Sequence, residues 1–246
     1  MNTRDNTMDL CHVPASRLQM AALQAVTELQ RGASIDLLTG LEPTLMMHSL
    51  NLQLRHRLNW QVIEAAPGLW RVSIRHRDDV APADLMDILS RDHQRLDELF
   101  GLSLQLVNAG RVAEGIPLIM EFSDGLKRHV HVENDILVPA FRGPDTGPVA
   151  TMLREHDDIL VQLTLIESYC SAGESVPAWE LSPFLAILSG TMAKHENREE
   201  QNLFPQWDHA LRQASPEDKQ ALMAQVQQEL AGLPVPGQNS GTTPNL

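Results

Sequence analysis

Two segments of the chain place a histidine and a glutamate on what their neighbours indicate is the apolar side of a helix. The segments are HVHVENDILVP, starting at His129, and HENREEQNLFP, starting at His195. Both fit one template: His, three residues, Glu, three residues, Leu, one apolar residue and Pro. Because an α-helix turns by about 100° per residue, side chains four residues apart project within about 40° of each other. His129 therefore shares a face with Glu133, and His195 with Glu199, and imidazole with carboxylate is a metal-binding combination.

Two further histidines occupy core positions of predicted helices. The inward stripes of the first and third helices are Leu85, Leu89, His93, Leu96, Phe100, Val107 and Leu153, His156, Leu160, Leu163, Ile166. The paired motifs lie in the stripes Ile119, Phe122, Leu126, His129, Glu133, Ile136 and Phe184, Leu188, Thr191, His195, Glu199, Asn202. The flanks of the two single histidines also repeat, as RDHQRLDEL and REHDDILVQL. We expect two copies of one hairpin, with all four histidines at similar distances from their turns and in one layer.

A metal site explains these residues better than a polar core does. A single histidine on an apolar face is more often a hydrogen-bonded core residue than a ligand. A buried carboxylate without a cation or a proton, however, costs several kcal/mol. Six such side chains converge, and no Lys or Arg shares the stripes at their level. Four imidazoles and two carboxylates exceed what one zinc ion uses and suit two ions, with iron favoured. His131, about 200° from His129, should point away.

Long amphipathic helices must position these residues. Segments rich in Gly and Pro separate four helical patterns, at roughly 84–108, 112–140, 148–172 and 178–210. Short loops between long amphipathic helices predict an antiparallel four-helix bundle over 84–214. A separate C-terminal helix is predicted over 215–231, starting at a Ser-Pro-Glu-Asp cap, and the Pro- and Gly-rich tail 232–246 should be disordered.

Residues 1–77 have a different pattern, that of a small two-layer α/β sandwich. A strand near Leu10–Val13, a helix over 16–31, a strand over 33–38, a helix to about Arg57 and a hairpin of 59–65 with 69–75 give the order β-α-β-α-β-β. Residues 78–83 are polar, contain a proline and are predicted to be a linker. The fold class is therefore α+β with two domains.

Composition excludes several classes of function. The net charge of −13, from 32 acidic and 19 basic residues, argues against binding to nucleic acid. No apolar run reaches the roughly 18 residues of a membrane helix, and the first residues lack the apolar core of a signal peptide. Two cysteines, Cys11 and Cys170, make no disulfide framework. We expect a cytoplasmic protein in a reducing compartment.

From about residue 84 to 210 the chain resembles the hemerythrin-like family of HHE cation-binding four-helix bundles. The resemblance rests on one single histidine or one His-x-x-x-Glu motif on each helix. It implies two iron ions, with His93, His129, His156 and His195 as terminal ligands and Glu133 and Glu199 as bridging ligands. It does not identify a catalytic residue, and whether the site turns over a substrate or only senses one stays open.

Two departures from the oxygen-carrying members favour chemistry at the metal. Those proteins have a second histidine one turn after the third-helix histidine, where this chain has Leu160, and they end in His-x-x-x-x-Asp, where it has Glu199 at the fourth place. Fewer histidines leave more open coordination positions. The reduced set is similar to that of the repair-of-iron-centres proteins. This implies a diatomic or peroxide ligand, nitric oxide or oxygen included, and a role in stress response and in protecting or repairing iron centres.

Alternatives to that function use the same metals differently. The chain could be a non-enzymatic sensor of iron, oxygen or nitric oxide that signals to a protein partner through the N-terminal domain, or an iron store or donor. The N-terminal domain is similar to a sulfur-carrier-like domain of unknown function, but the segment at Cys11 lacks the first proline of the Cys-Pro-x-Pro motif. Glu155, Glu196 and Glu200 are predicted to be solvated, with Glu200 a possible acceptor for a ligand histidine.

Overall fold

A computed structural model describes residues 6–54, 57–141, 147–171 and 176–232 of the chain. It divides the chain into two compact units, Met1–Pro82 and Ala83–Leu246. The first unit contains a four-stranded sheet with helices and the second is helical, which confirms the predicted α+β class. Within the described ranges, no helix combines the length and the apolar character needed to cross a bilayer.

The N-terminal unit has the predicted order of strands and helices. Its sheet has the strand order β1-β2-β4-β3, with β1 parallel to β2 and the other neighbours antiparallel. The apolar sides of the helices and the sheet form one core cluster. The elements are β1 (Thr7–Asp9), α1 (Ala15–Thr27), β2 (Ser34–Thr39), α2 (Thr44–Gln53), β3 (Leu58–Ala66) and β4 (Leu69–His76), and a 3₁₀ turn (Arg77–Asp79) follows.

Three predicted boundaries in this unit are wrong. The first strand lies three residues earlier than expected, because the Asp9 side chain accepts a hydrogen bond from the Cys11 amide at 2.8 Å and turns the chain there. The amide of Val13 then bonds to the Leu10 carbonyl, which closes a turn where a strand was predicted. The first helix ends at Thr27 rather than at residue 31, and successive turns lead to Gly32, whose φ is 76°. The second helix ends at Gln53, with Leu54 as its C-cap, rather than near Arg57.

Four long helices of the second unit pack as the predicted bundle. Helices α3 and α4 form one hairpin, α6 and α7 form the other, and α3 also packs on α7 and α4 on α6. The tail beyond residue 232 and most of the two loops at 142–147 and 172–177 lie outside the described residues. The elements are α3 (Leu85–Asn108), α4 (Val112–His131), a first π segment (Val132–Leu137), α5 (Val138–Phe141), α6 (Pro148–Ser171), α7 (Ala178–Arg198), a second π segment (Glu199–Leu203), α8 (Phe204–Gln213) and α9 (Pro216–Leu230).

A wider helical turn follows the histidine of each His-x-x-x-Glu motif. In each π segment, the amide of the residue just before the proline bonds to the carbonyl of the glutamate five residues earlier instead of four. Pro139 and Pro205 come next, six residues after Glu133 and Glu199. Proline has no amide hydrogen to donate, and its ring crowds the carbonyl four residues back, so a regular turn is disfavoured at that point. The Leu-x-Pro end of the repeated template therefore marks the two π segments.

The polar residues of the bundle form a layer between two apolar clusters. On α3, His93 lies between Leu89 of one cluster and Leu96 of the other. On α6, His156 likewise separates Met152 from Ile159. The larger cluster fills the end of the bundle nearer the hairpin turns, and the smaller cluster includes side chains of α8 and α9. The layer is thus shut off from water on both sides along the bundle axis.

The predicted stripes need correction near this layer. On α6 the fully buried residue one turn after His156 is Ile159, whereas Leu160 is only partly buried at the edge of the larger cluster. Beyond the glutamates, Leu137 and Leu203 are buried where the stripes named Ile136 and Asn202. A stripe drawn at 100° per residue assumes a regular α-helix, and the π segments each add a residue to the turn. On α7, Leu185 and Met192 are buried rather than Phe184 and Thr191.

We expect Gly115→Ala to destabilise the bundle, because α4 approaches α3 closely there. A methyl group on Gly115 would lie 2.9 Å from the Cγ2 of Val107 and 3.3 Å from the Ser103 carbonyl. Such overpacking costs roughly 1–3 kcal/mol. The matched control is Gly101→Ala on α3, where a methyl group meets nothing within 4 Å and better helix propensity should stabilise by about 0.5–1 kcal/mol. Urea unfolding followed by circular dichroism measures both, and equal midpoints would contradict the close approach.

Candidate metal centre

The structure brings all six predicted site residues together in the polar layer. Each is at most 4 % exposed. The two histidines of each hairpin face each other: the Nε2 atoms of His93 and His129 are 3.0 Å apart, and so are those of His156 and His195. Each hairpin thus supplies one pair of imidazoles.

The two glutamates lie between the histidine pairs and reach both of them. The Glu133 carboxylate lies 3.6 Å from Nε2 of His129 and 3.2 Å from Nε2 of His156. The Glu199 carboxylate lies 3.0 Å from Nε2 of His195 and 3.4 Å from Nε2 of His93. The ligand atoms consequently fall into two groups, each within 4.8 Å and each able to hold an ion, that share both carboxylates: His93, His129, Glu133, Glu199 and Glu133, His156, His195, Glu199.

A second set of side chains orients the imidazoles from outside. The Nδ1 of His129 bonds to Asp92 at 2.9 Å, and the Nδ1 of His195 bonds to Glu155 at 3.1 Å. In both cases the carboxylate immediately precedes the other histidine of the same hairpin. Bonds of this kind fix the ring and direct Nε2 inward, as the outer partners of metal ligands do.

The Nδ1 atoms of the other two imidazoles face residues that follow the glutamates. The Nδ1 of His156 bonds to the Asn134 amide oxygen at 2.7 Å. The Nδ1 of His93 lies 3.5 Å from a carboxylate oxygen of Glu200, at the limit of a hydrogen bond. The residues facing His156 and His93 therefore hold equivalent positions in the two hairpins. The one facing His156 is a neutral amide and the one facing His93 is a carboxylate.

Two of the three acidic residues predicted to be solvated are not. Glu155 is largely buried and pairs with Arg198 at 2.5 Å as well as with His195. Glu196 has a buried carboxylate oxygen, and burial raises the pKa of Glu196 to about 7. Glu200 is 45 % exposed, and one of its carboxylate oxygens lies 3.5 Å from Nδ1 of His93. His131 is half-exposed and bonds to Asp135 at 2.7 Å, on the outer side of the helix as predicted.

The roles of Asp92, Asn134 and Glu155 were missed from the sequence. A signal for two of them existed in the repeated flanks, where an acidic residue stands directly before each single histidine. A neighbouring residue on a helix projects about 100° away and so points toward the adjacent helix of the hairpin.

Charge in the layer explains the protonation of its groups. Burial lowers the pKa of His129, but the Glu133 and Asp92 carboxylates together outweigh burial and raise the pKa to about 9. Burial also lowers the pKa of His156, but contacts with Glu133 and Glu199 raise it to about 9. Burial raises the pKa of Glu199, yet contacts with three histidines hold it well below its ordinary value. Two buried carboxylates thus require positive charge beside them.

The donor set fits a pair of metal ions. All four oxygens of Glu133 and Glu199 are buried and accept no hydrogen bond, although buried acceptors are otherwise nearly always satisfied. The paired Nε2 atoms are 3.0 Å apart, which is about the separation of two ligands at right angles on one ion with bonds of roughly 2.1 Å. Neutral imidazole with carboxylate suits iron, zinc or a similar ion.

Comparison with known families agrees with this site. Residues 84–207, just over half of the chain, match the family model of the hemerythrin HHE cation binding domain. The chain therefore belongs to the hemerythrin HHE cation-binding family, whose domain contains all six clustered residues. Comparisons with curated proteins and with solved structures gave no match.

We predict that Asp92→Asn weakens metal binding about 10- to 100-fold, because the outer partner of a ligand histidine sets its orientation and basicity. The matched control is Asp135→Asn, which changes an equivalent His–Asp hydrogen bond at the exposed His131. Competition with a chelator, using zinc and the full chain, measures both affinities. If the two variants bind zinc equally tightly, Asp92 has no such role.

The metal-free chain should lose stability as pH rises. Because the pKa values of His129 and His156 are raised from 6.5 to about 9, the stability that their protonation contributes is fully present below pH 6.5. It is lost as pH rises through about 9. Urea unfolding across this range measures the effect. The zinc-loaded chain, in which ligand imidazoles are unprotonated, is the control and should lack this decline. A flat profile for the metal-free chain would contradict the charge balance described here.

Proposed function

We propose that the chain binds two iron ions, with His93 and His129 on one, His156 and His195 on the other, and both glutamates bridging them. The observation that carries this proposal is the pair of buried carboxylates whose four oxygens accept no hydrogen bond. Each carboxylate lies within reach of a histidine from each hairpin. A single ion would leave two imidazoles facing each other without a partner.

Iron bound here would supply redox chemistry and open positions for a small ligand. Four protein groups surround each metal position, fewer than the six that iron commonly takes. The chain's own residues hold the imidazoles in place from outside through Asp92, Asn134 and Glu155. The apolar clusters above and below the layer exclude bulk water. These features support binding of, or reaction with, nitric oxide, dioxygen or peroxide.

The physiological role that we propose is in the response to nitrosative or oxidative stress, by protecting or repairing iron centres in the cytoplasm. The open positions support it, since a centre filled by protein ligands would have no place for the attacking molecule. The thiols make no alternative redox site: burial raises the pKa of Cys170 to about 11. Partial burial and the Asp9 carboxylate likewise raise the pKa of Cys11, so neither is a ready thiolate.

A sensor is the second candidate, and the N-terminal unit favours it. Three large apolar side chains are exposed on the helices of that unit, namely Met20, Leu45 and Leu52, at 74 %, 81 % and 67 %. Exposed apolar side chains of this kind suit a protein partner. Catalytic consumption of nitric oxide in the presence of an electron donor separates the candidates, since a sensor binds stoichiometrically and stops.

We expect the purified chain to contain two irons, and His129→Ala to lose much of that iron. His131→Ala is the matched control, because His131 is two residues away on the exposed side of the same helix. Metal analysis after expression in iron-replete medium gives the stoichiometry, and near-ultraviolet absorption of the air-oxidised protein reports bridged ferric iron. One zinc and no iron in the wild type would refute the di-iron proposal. Equal iron loss in the two variants would refute the ligand assignment.

A further inference from the structure

The two hairpins of the bundle are equivalent at the metal layer but not beside it. Helix α9 packs on α3, on α4 and on the first π segment. Its Val226 and Leu230 join an apolar cluster with Leu85, Leu89 and Leu137 of the first hairpin. The outer side of that hairpin, just below the layer, is therefore covered. In the described part of the chain, no helix corresponding to α9 lies on the second hairpin.

A cleft occupies the equivalent place on the second hairpin. Aligning His93 with His156, and Glu133 with Glu199, matches the covered residues Leu85, Leu89 and Leu137 to Pro148, Met152 and Leu203. These three counterparts line a cleft of about 200 Å³. Further lining residues are Thr151, Arg198 and Asn202.

The inner wall of the cleft is formed by side chains of the polar layer and by a residue that contacts it. Glu199 and Glu155 both line it. The Glu199 carboxylate lies 3.0 Å from Nε2 of His195 and 3.5 Å from Nε2 of His156, and Glu155 holds the Nδ1 of His195. The cleft therefore leads toward the position between His156 and His195 and ends at Glu199, whose carboxylate oxygens are buried behind its wall.

At the matching place of the first hairpin, the described side chains are buried. The ring of Phe204 stacks on His93, with ring centroids 5.8 Å apart, and Phe204 is itself buried. Leu85 and Leu89 are fully buried below it. The described residues thus leave a cleft beside one metal position and cover the matching place beside the other.

The lining of the cleft indicates the chemistry of its occupant. Pro148, Met152 and Leu203 present apolar surface. The Arg198 guanidinium is already paired with Glu155 at 2.5 Å, and the Glu199 carboxylate adds negative charge, so an anion gains nothing there. A volume of about 200 Å³ admits a molecule of a few heavy atoms. These features select a small uncharged molecule.

We propose that this cleft is the access route by which small uncharged ligands reach the metal position of His156 and His195, and that the position of His93 and His129 is approached only after it. The assignment rests on the proposed function insofar as the ligand is nitric oxide, dioxygen or uncharged peroxide. It adds the side of approach and the resulting difference between the two positions.

The kinetic test is nitric oxide association with the reduced, iron-loaded full chain, followed by stopped flow. Thr151→Trp places a large ring in the cleft without touching a proposed ligand, and we expect association at least ten times slower. The control is Val161→Trp on the same helix, where the side chain is 71 % exposed, and its rate should equal that of the wild type. Equal rates for Thr151→Trp and the wild type at equal iron content would overturn the route.

The second test uses no iron and no variant. Dissolved dioxygen is paramagnetic and broadens the methyl resonances of the groups that it visits. In the zinc-substituted full chain with labelled methionine methyl groups, Met152 should relax several times faster under oxygen than Met192. These two residues are similarly buried, at 2 % and 5 % exposed, but only Met152 lines the cleft. Equal relaxation would overturn the route. Failure of the wild type to bind nitric oxide would refute the proposed ligand. The relaxation of the methionine methyl groups under oxygen would then be the only test of the route.

Discussion

Two carboxylates buried between apolar clusters are the constraint on which the second unit depends. Burying a carboxylate costs several kcal/mol unless positive charge lies beside it, and Glu133 and Glu199 are both nearly inaccessible. The four imidazoles around them supply that charge as protons or leave room for metal ions. Protons and metal ions compete for the same imidazole nitrogen atoms. The stability of this unit therefore depends on pH and on metal content together, and a change in one alters the effect of the other.

The elements around the layer follow from the need to hold the six His and Glu side chains of the candidate site at one height. Each hairpin repeats the same arrangement: an acidic residue before the first histidine, and the second histidine one turn before the glutamate. The acidic residue reaches across its own hairpin to orient the second imidazole. The π segments begin within one residue of the glutamates and change the face that follows, so Leu137 and Leu203, and not the residues one position earlier, close the layer from below.

Prediction from sequence succeeded where a regular period and strong chemistry coincided. The bundle, the order of strands and helices along the first unit and the convergence of six His and Glu side chains could be predicted, because 100° and 180° periodicities persist over whole elements. Leu160 was predicted to face inward because a spacing of four residues after His156 was assumed. The buried residues of α6 are in fact spaced by three and four residues in turn, so Ile159 faces inward instead. Glu155 was taken as solvated because a charged residue next to a stripe is usually exposed. Its actual partners, His195 and Arg198, lie about 40 residues away, and no local pattern reveals them.

The sharing of ligands between hairpins bears on how such a centre can originate. Each hairpin contributes two imidazoles to one metal position, but its glutamate also reaches the position of the other hairpin. One hairpin alone therefore lacks half of the bridging groups. Two identical copies of a single hairpin, paired about a twofold axis, would present the same six side chains. Gene duplication and fusion would then convert a symmetric dimer into one chain whose halves are free to diverge, as the presence of α9 on one half alone illustrates.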